Sequence, residues 1–430
     1  MYYSETRRFL EQFDTQEART IVFTGTKGKT TLGLLLSSAL ESFYDVRIKI
    51  DTTGVYWNDQ LIFTKDDSMN HFGYSPTVLP GRYLLGLFKN KKIDYSKVVL
   101  IIEASLTSGI FGTGLVSHDV GILTNIFSDH IDYERVKDRK DLALLKSFVY
   151  REIKEGGVYV TNVDNDLCLK TIDLPELEKK NIRKVGVSNK IVESEAYDVI
   201  KSHSLNSLIV LLDDSLVQFP EKKILFSHPL LTTDQTFAAN ISCCFASLIH
   251  DKKVDLSVID KKLQNFTFPD KHGRNLIFSK GQEKVYVDFA HEITSQQQLI
   301  ERVSRECGQK PYLITRLSPE YSDSYLRKYA QELSSTPIKG VIVFDKIDGV
   351  KRELFRNRKD KVRVAGETAK IIRDELIANN SSINVDLTSS ESLALMHALN
   401  KKLHPLIHIY DNLDETLELI KQRGFVRVET

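Results

Sequence analysis

The chain has 430 residues, 41% of them hydrophobic and 27% charged, the balance of an ordinary globular protein and not of a disordered or membrane-embedded one. Lys and Arg number 59 against 58 Asp and Glu, so the net charge of +1 excludes a global field for nucleic acid or an anionic membrane, and any anion site must be local. The length exceeds what one hydrophobic core usually serves, which predicts two domains or three.

The opening MYYSETRRFLEQF is interspersed with charge and has no long apolar run. Neither a secretory leader nor a membrane span is expected there, and the cytoplasm is the default compartment. RTIVFT then reads as a strand that runs into the glycine turn GTKGKTT and a helix, LGLLLSSALESF, with apolar residues at helical spacing. VRIKID is a second strand, and VYWNDQLIF a hairpin about Asn58-Asp59. KVVLIIEAS and HDVGILTNI are near-continuous apolar runs of strand length, as buried parallel strands usually are. Ligands of open parallel sheets sit at the carboxyl ends of strands, so Glu103, Ser105, Asn125 and the glycine turn are expected at one edge.

DLALLKSFVYREI reads as a helix, GGVYVTN as a strand and TDQTFAANISCCFASLIH as a long helix opened by polar capping residues. The stretch from Lys179 to Ser227 is strand-rich and irregular and offers no site. After FPDKHGRN the pattern restarts. KVYVDFA, PYLITR, GVIVFD and HPLIHIYD are strands, alternating with the helical TSQQQLIERVSREC, SYLRKYAQELSS, ETAKIIRDELIA and LDETLELIKQR. The expected fold class is therefore α/β, a first domain with a mainly parallel sheet over residues 1–275 and a smaller Rossmann-like α/β domain over 276–430, with the hinge between Phe268 and Gly281. Four cysteines, two of them adjacent, have neither metal spacing nor a disulfide framework and are expected to be small buried apolar residues.

The strongest chemical signal is Thr24-Gly25-Thr26-Lys27-Gly28-Lys29-Thr30-Thr31. Glycines let the backbone turn its N–H groups around phosphate oxygens, a helix N-terminus adds positive potential, Lys29 reaches the outer phosphates and Thr30 can ligate Mg²⁺. The standard phosphate-loop spacing is not met, since its first glycine falls on Phe23. Glu103 at a strand end and the pair Asp129-His130 after ILTNIFS are candidate Mg²⁺ ligands, direct or through water.

Read in order, GTKGKTT, the strand-terminal Glu103, TNIFSDHID, the helix bearing Lys146, TNVDND, HGRN and VDFAH resemble the Mur ligase superfamily, from about Arg19 to the C-terminus. Within it the chain is most similar to the C-terminal ligase region of cyanophycin synthetases, through DTTGVYWNDQLI, EASLTSGIFGTGL, HDVGILTNIFSDH, DLALLKSFV, GRNLIF and FDKIDGVKRELFRNRKDKVRVAGETA. The resemblance implies a phosphate-loop ATPase domain that binds ATP and Mg²⁺. Thr26, Lys27, Gly28, Lys29, Thr30, Thr31 and Asn125 would line the nucleotide, with Thr30 and Glu103 at the first metal and His130 and Lys146 at a second. Asn240 would read the adenine, Arg274 and Asp288 would hold phosphates and ribose across the hinge, and His291 would line the cleft. The chain departs from the family at Thr236-Phe237, at Asp270-Lys271-His272 and at Glu292. Lys29, Glu103, His130 and Lys146 are the candidate catalytic residues, Lys146 either as a carbamate or as a plain lysine.

The implied reaction is ATP-dependent formation of an amide bond between an amino acid and a carboxylate-bearing peptide or polymer, through an acyl phosphate. The phosphate loop begins after about twenty residues. Neither the acceptor-gripping domain of ordinary Mur ligases nor the ATP-grasp domain of cyanophycin synthetases is expected ahead of it, so a separate ATP-grasp partner or addition of a single residue is anticipated. Two other readings stay open: a murein- or pseudomurein-type peptide ligase, and an inactive ATP-binding scaffold for a partner ligase. Self-association is also left open.

Overall fold

Strands buried on both faces of a sheet need unbroken apolar runs, and in the computed structural model the N-terminal half of the chain uses them so. The structure describes residues 17–72, 75–78, 80–88, 93–106, 108–111, 113–127, 136–269, 273–290, 293–317, 321–344 and 366–428. They fall into two units, which divide between Phe266 and Thr267.

In the first unit, strands β1 (Arg19–Thr24), β2 (Val46–Ile50), β3 (Gly54–Trp57), β4 (Gln60–Thr64), β5 (Val98–Glu103) and β6 (His118–Leu123) are followed by β7 (Ile153–Asn162), β8 (Arg183–Ser188), β9 (Ser207–Leu212), β10 (Ser215–Phe219) and β11 (Lys223–Ser227). Among the described residues they make one sheet in the order β11-β10-β9-β8-β7-β6-β1-β5-β2-β3-β4. Every neighbouring pair from β2 through β5, β1, β6, β7 and β8 to β9 is parallel, and antiparallel hairpins close both ends. β5 is buried from end to end, and each of its Val, Leu and Ile side chains contributes about 1.5–3 kcal/mol by leaving water. The hairpin at Asn58-Asp59 has both residues at positive φ, 46° and 64°, as a two-residue turn matched to strand twist requires.

The helix Lys29–Ala39 lays Leu32, Leu35 and Leu36 against this sheet, and the helix Gln235–Leu248 packs beside it. The long helix starts at Asp234, whose carboxylate accepts from the N–H of Phe237 at 2.9 Å, the expected polar cap. One expected helix is two. The chain forms Arg139–Leu145 and Phe148–Arg151, broken at Lys146-Ser147, where the Leu145 carbonyl presses on the backbone of Gly109 so closely that a Cβ there would lie 1.7 Å from its oxygen. The irregular stretch from Lys179 resolves into β8, a helix Glu193–Ser202, and the β9–β11 meander.

The second unit contains β12 (Leu276–Lys280), β13 (Glu283–Asp288), β14 (Tyr312–Thr315), β15 (Gly340–Phe344), β16 (Asn384–Thr388), β17 (Leu406–Ile409) and β18 (Val426–Val428), in the order β16-β15-β14-β17-β13-β12-β18. β13, β17, β14, β15 and β16 run parallel, with β12 and β18 antiparallel at one edge. β12, β16 and β18 carry little sequence signal because two lie at sheet edges with largely exposed residues and the third is a hairpin arm. All four cysteines are free thiols: Cys168, Cys243 and Cys244 are buried as expected, whereas Cys307 is half-buried with its sulfur 3.3 Å from the Tyr286 hydroxyl. No helix among the described residues is long and apolar enough to cross a membrane.

Candidate active site

Strand register sets the site. Phe23 pairs with Glu103 on β5, and Thr24 with Leu123 on β6, so three strand ends meet in line beneath the glycine turn. The pairing continues past the strands, with the N–H of Ala104 donating to the Phe23 carbonyl at 2.9 Å and that of Thr124 to the Thr24 carbonyl at 3.0 Å.

The segment after β6 braces the turn. The N–H groups of Thr26 and Lys27 donate to Asn125 Oδ1 at 3.1 and 2.9 Å, and Thr26 N–H also reaches the Asn125 carbonyl at 3.0 Å. In return, Thr124 Oγ1 and Asn125 Nδ2 donate to the Lys27 carbonyl at 2.9 and 3.3 Å, and the Phe127 N–H donates to Thr26 Oγ1 at 3.0 Å. Asn125 is thus a bracing residue of the loop backbone. The Ile126 carbonyl is itself clamped, by Arg139 Nη2 at 2.9 Å and Asn165 Nδ2 at 3.1 Å.

Gly28 begins the helix in the left-handed region, φ 77°, where a side chain would be strained. A Cβ there would also lie 2.5 Å from Asn240 Oδ1. Asn240 is only 2% exposed and donates through Nδ2 to the Thr236 carbonyl at 2.8 Å, so the residue that the resemblance links to adenine sits against the back of the glycine turn. The amides of the helix's first turn, with the helix dipole behind them, can take an anion. Thr31 is buried in that same turn.

The cations converge. Lys29 Nζ donates to the carbonyls of Gly25 and Thr26 at 3.1 and 3.3 Å, and Lys146 Nζ, 3% exposed, donates to the same Gly25 carbonyl at 2.9 Å and to Thr24 Oγ1 at 3.2 Å. Two ammonium groups on one carbonyl oxygen repel each other, and a polyanion relieves that repulsion. Lys146 stands at the helix break, not on a helix face. Lys27 Nζ lies 5.1 Å from the Phe127 ring centre. Thr30 Oγ1, in the same turn, donates to Glu103 Oε2 at 3.1 Å, with both residues buried. A carboxylate removed from water is costly without partners, and a hydroxyl beside it forms a pair of hard oxygen donors that suits a divalent cation.

Sequence reasoning missed Thr124, which a polar end on an apolar strand could have flagged, and a buried pair, Lys49 with Asp51. Lys49 donates to Asp51 at the end of β2, one register step from β5, and Asp51 Oδ1 accepts the N–H groups of Thr53 and Gly54 at 2.8 and 3.2 Å. His130 and His291 lie outside the described residues. Among the described residues no three His, Cys, Asp or Glu side chains group as a metal cluster.

In the second unit, Arg274 and Asp288 are neighbours at 4.0 Å, and Asp288 Oδ2 accepts the Asn275 N–H at 2.8 Å. The guanidinium stands 4.8 Å over the Phe289 ring. Tyr410 packs on Phe289, with ring centres 5.3 Å apart, and closes on Gly273, where a Cβ would lie 2.2 Å from its hydroxyl. Burial pushes the Tyr410 phenol up to about 12, with Arg274 opposing and Asp288 adding to the rise. Arg316, at the end of β14, pairs with Asp411.

The Mur ligase middle-domain model matches residues 23–248, more than half of the chain, and the chain belongs to that family. The cyanophycin synthetase of Synechocystis sp. is 22% identical over 412 residues, which is 94% of this chain and 43% of that protein. This chain therefore spans about two fifths of the length of that relative. UDP-N-acetylmuramoyl-L-alanyl-D-glutamate–2,6-diaminopimelate ligase of Xylella fastidiosa is 27% identical over 304 residues, 68% of this chain and 55% of the ligase. Among solved structures, E. coli FolC in complex with DHPP and ADP superposes with a TM-score of 0.67 at 17% identity, covering 98% of this chain and 92% of FolC. That likeness establishes the shared α/β fold.

Proposed function

We propose that this chain is an ATP-dependent carbon–nitrogen ligase that uses ATP and Mg²⁺ to join an amino acid amine to a carboxylate acceptor, most similar in substrate class to cyanophycin synthetase. The observation that carries this reading is the set of groups gathered at the glycine turn: Lys29 and Lys146 meet on the Gly25 carbonyl, and the next residue of the turn, Thr30, bonds the buried Glu103. Two ammonium groups and a buried carboxylate–hydroxyl pair on adjacent segments are groups that can hold a polyanion and a divalent cation.

In this reading the first-turn amides after Gly28 and the Lys29 ammonium cradle the outer phosphates, and Lys29 stabilises charge that builds on them as the terminal phosphoryl group moves. Thr30 and Glu103 would hold Mg²⁺, which when bound neutralises phosphate charge. The acceptor carboxylate oxygen attacks the terminal phosphorus and ADP departs. The amine then attacks the acyl carbon, inorganic phosphate leaves, and the amine loses a proton. Thr24, Asn125 and Thr124 keep the loop rigid so that little reorganisation is needed. Asn240 supports the loop from behind, beside its proposed part in adenine recognition, and Arg274 and Asp288 are the second unit's contribution to nucleotide binding.

Similarity to the Xylella ligase supports a second substrate reading, a cell-wall-type peptide acceptor. The other reading, an inactive ATP-binding scaffold for a partner ligase, would keep the same nucleotide groups and release no phosphate. A phosphate-release screen of the common amino acids, each paired with short acidic peptides or with cell-wall precursors, tests the proposal. Release that depends on one amino acid and one acceptor class supports ligation and names the substrates. Release indifferent to every pair, with no amide product by mass spectrometry, refutes it.

A further inference from the structure

We infer that Glu391, at the start of the helix Glu391–Asn400, is a positioning residue for the Arg274/Asp288 group, acting through the turn Tyr410–Asn412 at the end of β17. The inference rests on the reading of Arg274 and Asp288 as nucleotide-contacting residues.

The Glu391 carboxylate is almost enclosed, its side chain 11% exposed, and it is shared among three elements. Oε1 accepts from His408 Nε2 at 2.9 Å, from Thr416 Oγ1 at 2.9 Å and from the N–H of Asp411 at 3.0 Å, while Oε2 accepts the N–H of Asn412 at 2.9 Å. His408 is fully buried on β17 and Thr416 nearly so on the next helix. The turn held in this way carries Tyr410, whose N–H bonds the Asp288 carbonyl at 3.2 Å and whose ring fills the space over Gly273, next to Arg274 in sequence. It also carries Asp411, the partner of Arg316. One carboxylate therefore fixes the backbone that shapes one side of the Arg274/Asp288 group.

A simpler role, starting the helix Leu413–Gln422, is already filled. Asn412 caps that helix with its own side chain, accepting the Glu415 N–H at 3.4 Å. Burying a charge 20 residues away along the chain is an expensive way to repeat that task. Burial pushes the Glu391 carboxyl upward, but the bonds from His408 and the two backbone amides outweigh it and hold the group below the usual carboxylate range. It is therefore an anion wherever the fold is intact near neutral pH.

Gln at this position keeps the shape but supplies only one acceptor oxygen, so its amide must face either the Asn412 N–H or His408. Calorimetric titration of ADP with Mg²⁺ into wild type, E391Q, R274A and the double variant tests the inference. E391Q is expected to weaken ADP by about tenfold, the scale seen for groups that orient ligating side chains. In the R274A background that loss should largely vanish, because residues acting through one another are not additive. Additive losses, or unchanged ADP affinity in E391Q while R274A weakens binding, overturn the positioning role alone. No effect of R274A overturns the nucleotide reading of this edge and the inference with it. If E391Q does not fold, T416V carries the test: it removes one bond and leaves the charge, and a smaller loss of affinity that disappears with R274A is expected, whereas no loss overturns the role.

Discussion

The two strand-end edges are built differently. In the first unit, one continuous motif carries most of the candidate groups, and the neighbouring strand ends brace it with short bonds to its backbone, as Asn125 does to Thr26 and Lys27. In the second, Arg274, Asp288, Phe289, Arg316, Tyr410 and Asp411 come from separate strand ends, and ring contacts and ion pairs join them. The first edge is buried and braced before a ligand arrives. The second keeps Arg274 and Asp288 about one-fifth exposed, so solvent screens their attraction. A buried, braced loop tolerates little change in any of its parts, whereas the second edge should respond gradually and through neighbours.

Loss of Lys29 should show this most strongly. Lys29→Ala is expected to lower ATP turnover by at least about a hundredfold, the usual cost of losing one preorganised charge-stabilising group, with little change in melting temperature. Wild-type turnover would remove Lys29 from the phosphate site. Its neighbour gives a direct contrast between the units. Gly28 and Gly281 both have positive φ, 77° and 61°, but a Cβ meets Asn240 at Gly28 and nothing within 4 Å at Gly281. Gly281→Ala should cost about 1 kcal/mol from backbone strain alone, and Gly28→Ala about 2–3 kcal/mol, with overpacking added. Equal costs by chemical denaturation would mean that Asn240 yields and that the first edge is looser than its bonding suggests.

Glu103→Gln should keep nucleotide binding but raise the Mg²⁺ requirement of ATP turnover by about tenfold, because a neutral amide is a poorer ligand for a hard cation. An unchanged Mg²⁺ titration would place the metal elsewhere. For Lys146, rescue of Lys146→Ala turnover by formate or acetate supports a carbamate. Loss with no rescue, and wild-type activity indifferent to removal of dissolved carbon dioxide, supports the plain ammonium seen bonded to Gly25 and Thr24.

The smallest effect separates two half-buried glutamates. Burial pushes the Glu152 carboxyl in the first unit up to about 7, against the Thr113 hydroxyl and Lys180, which pull it down, whereas Glu391 in the second is held low. With a folded pKa above the unfolded one, the Glu152 contribution is fully present below the ordinary carboxylate pKa and is lost as pH rises through 7. Glu152→Gln should therefore raise the melting temperature by a few degrees at pH 8 and change it little near pH 4.5, in keeping with a difference of about 1–2 kcal/mol. Buried His118, pulled down to about 4 by desolvation, works in the opposite direction and costs stability as pH falls below 6.5. A flat difference between Glu152→Gln and wild type across pH would show that Glu152 is hydrated in solution.

The sequence by itself determined the glycine turn and the parallel core strands, because each is written locally: a glycine turn between an apolar strand and a helix, and unbroken apolar runs, one of them closed by Glu103. It also marked Arg274 and Asp288, through a family likeness and not through any local pattern. Only the tertiary structure decided that the helix breaks at Lys146, that Lys146 and Lys29 share the Gly25 carbonyl, that Asn240 lies behind Gly28, and that Glu391 holds the turn bearing Tyr410 and Asp411. Those facts join residues from 20 to more than 200 positions apart. Hydrophobic periodicity determines which face of an element is buried, but strand order and register determine which polar side chains meet at its end.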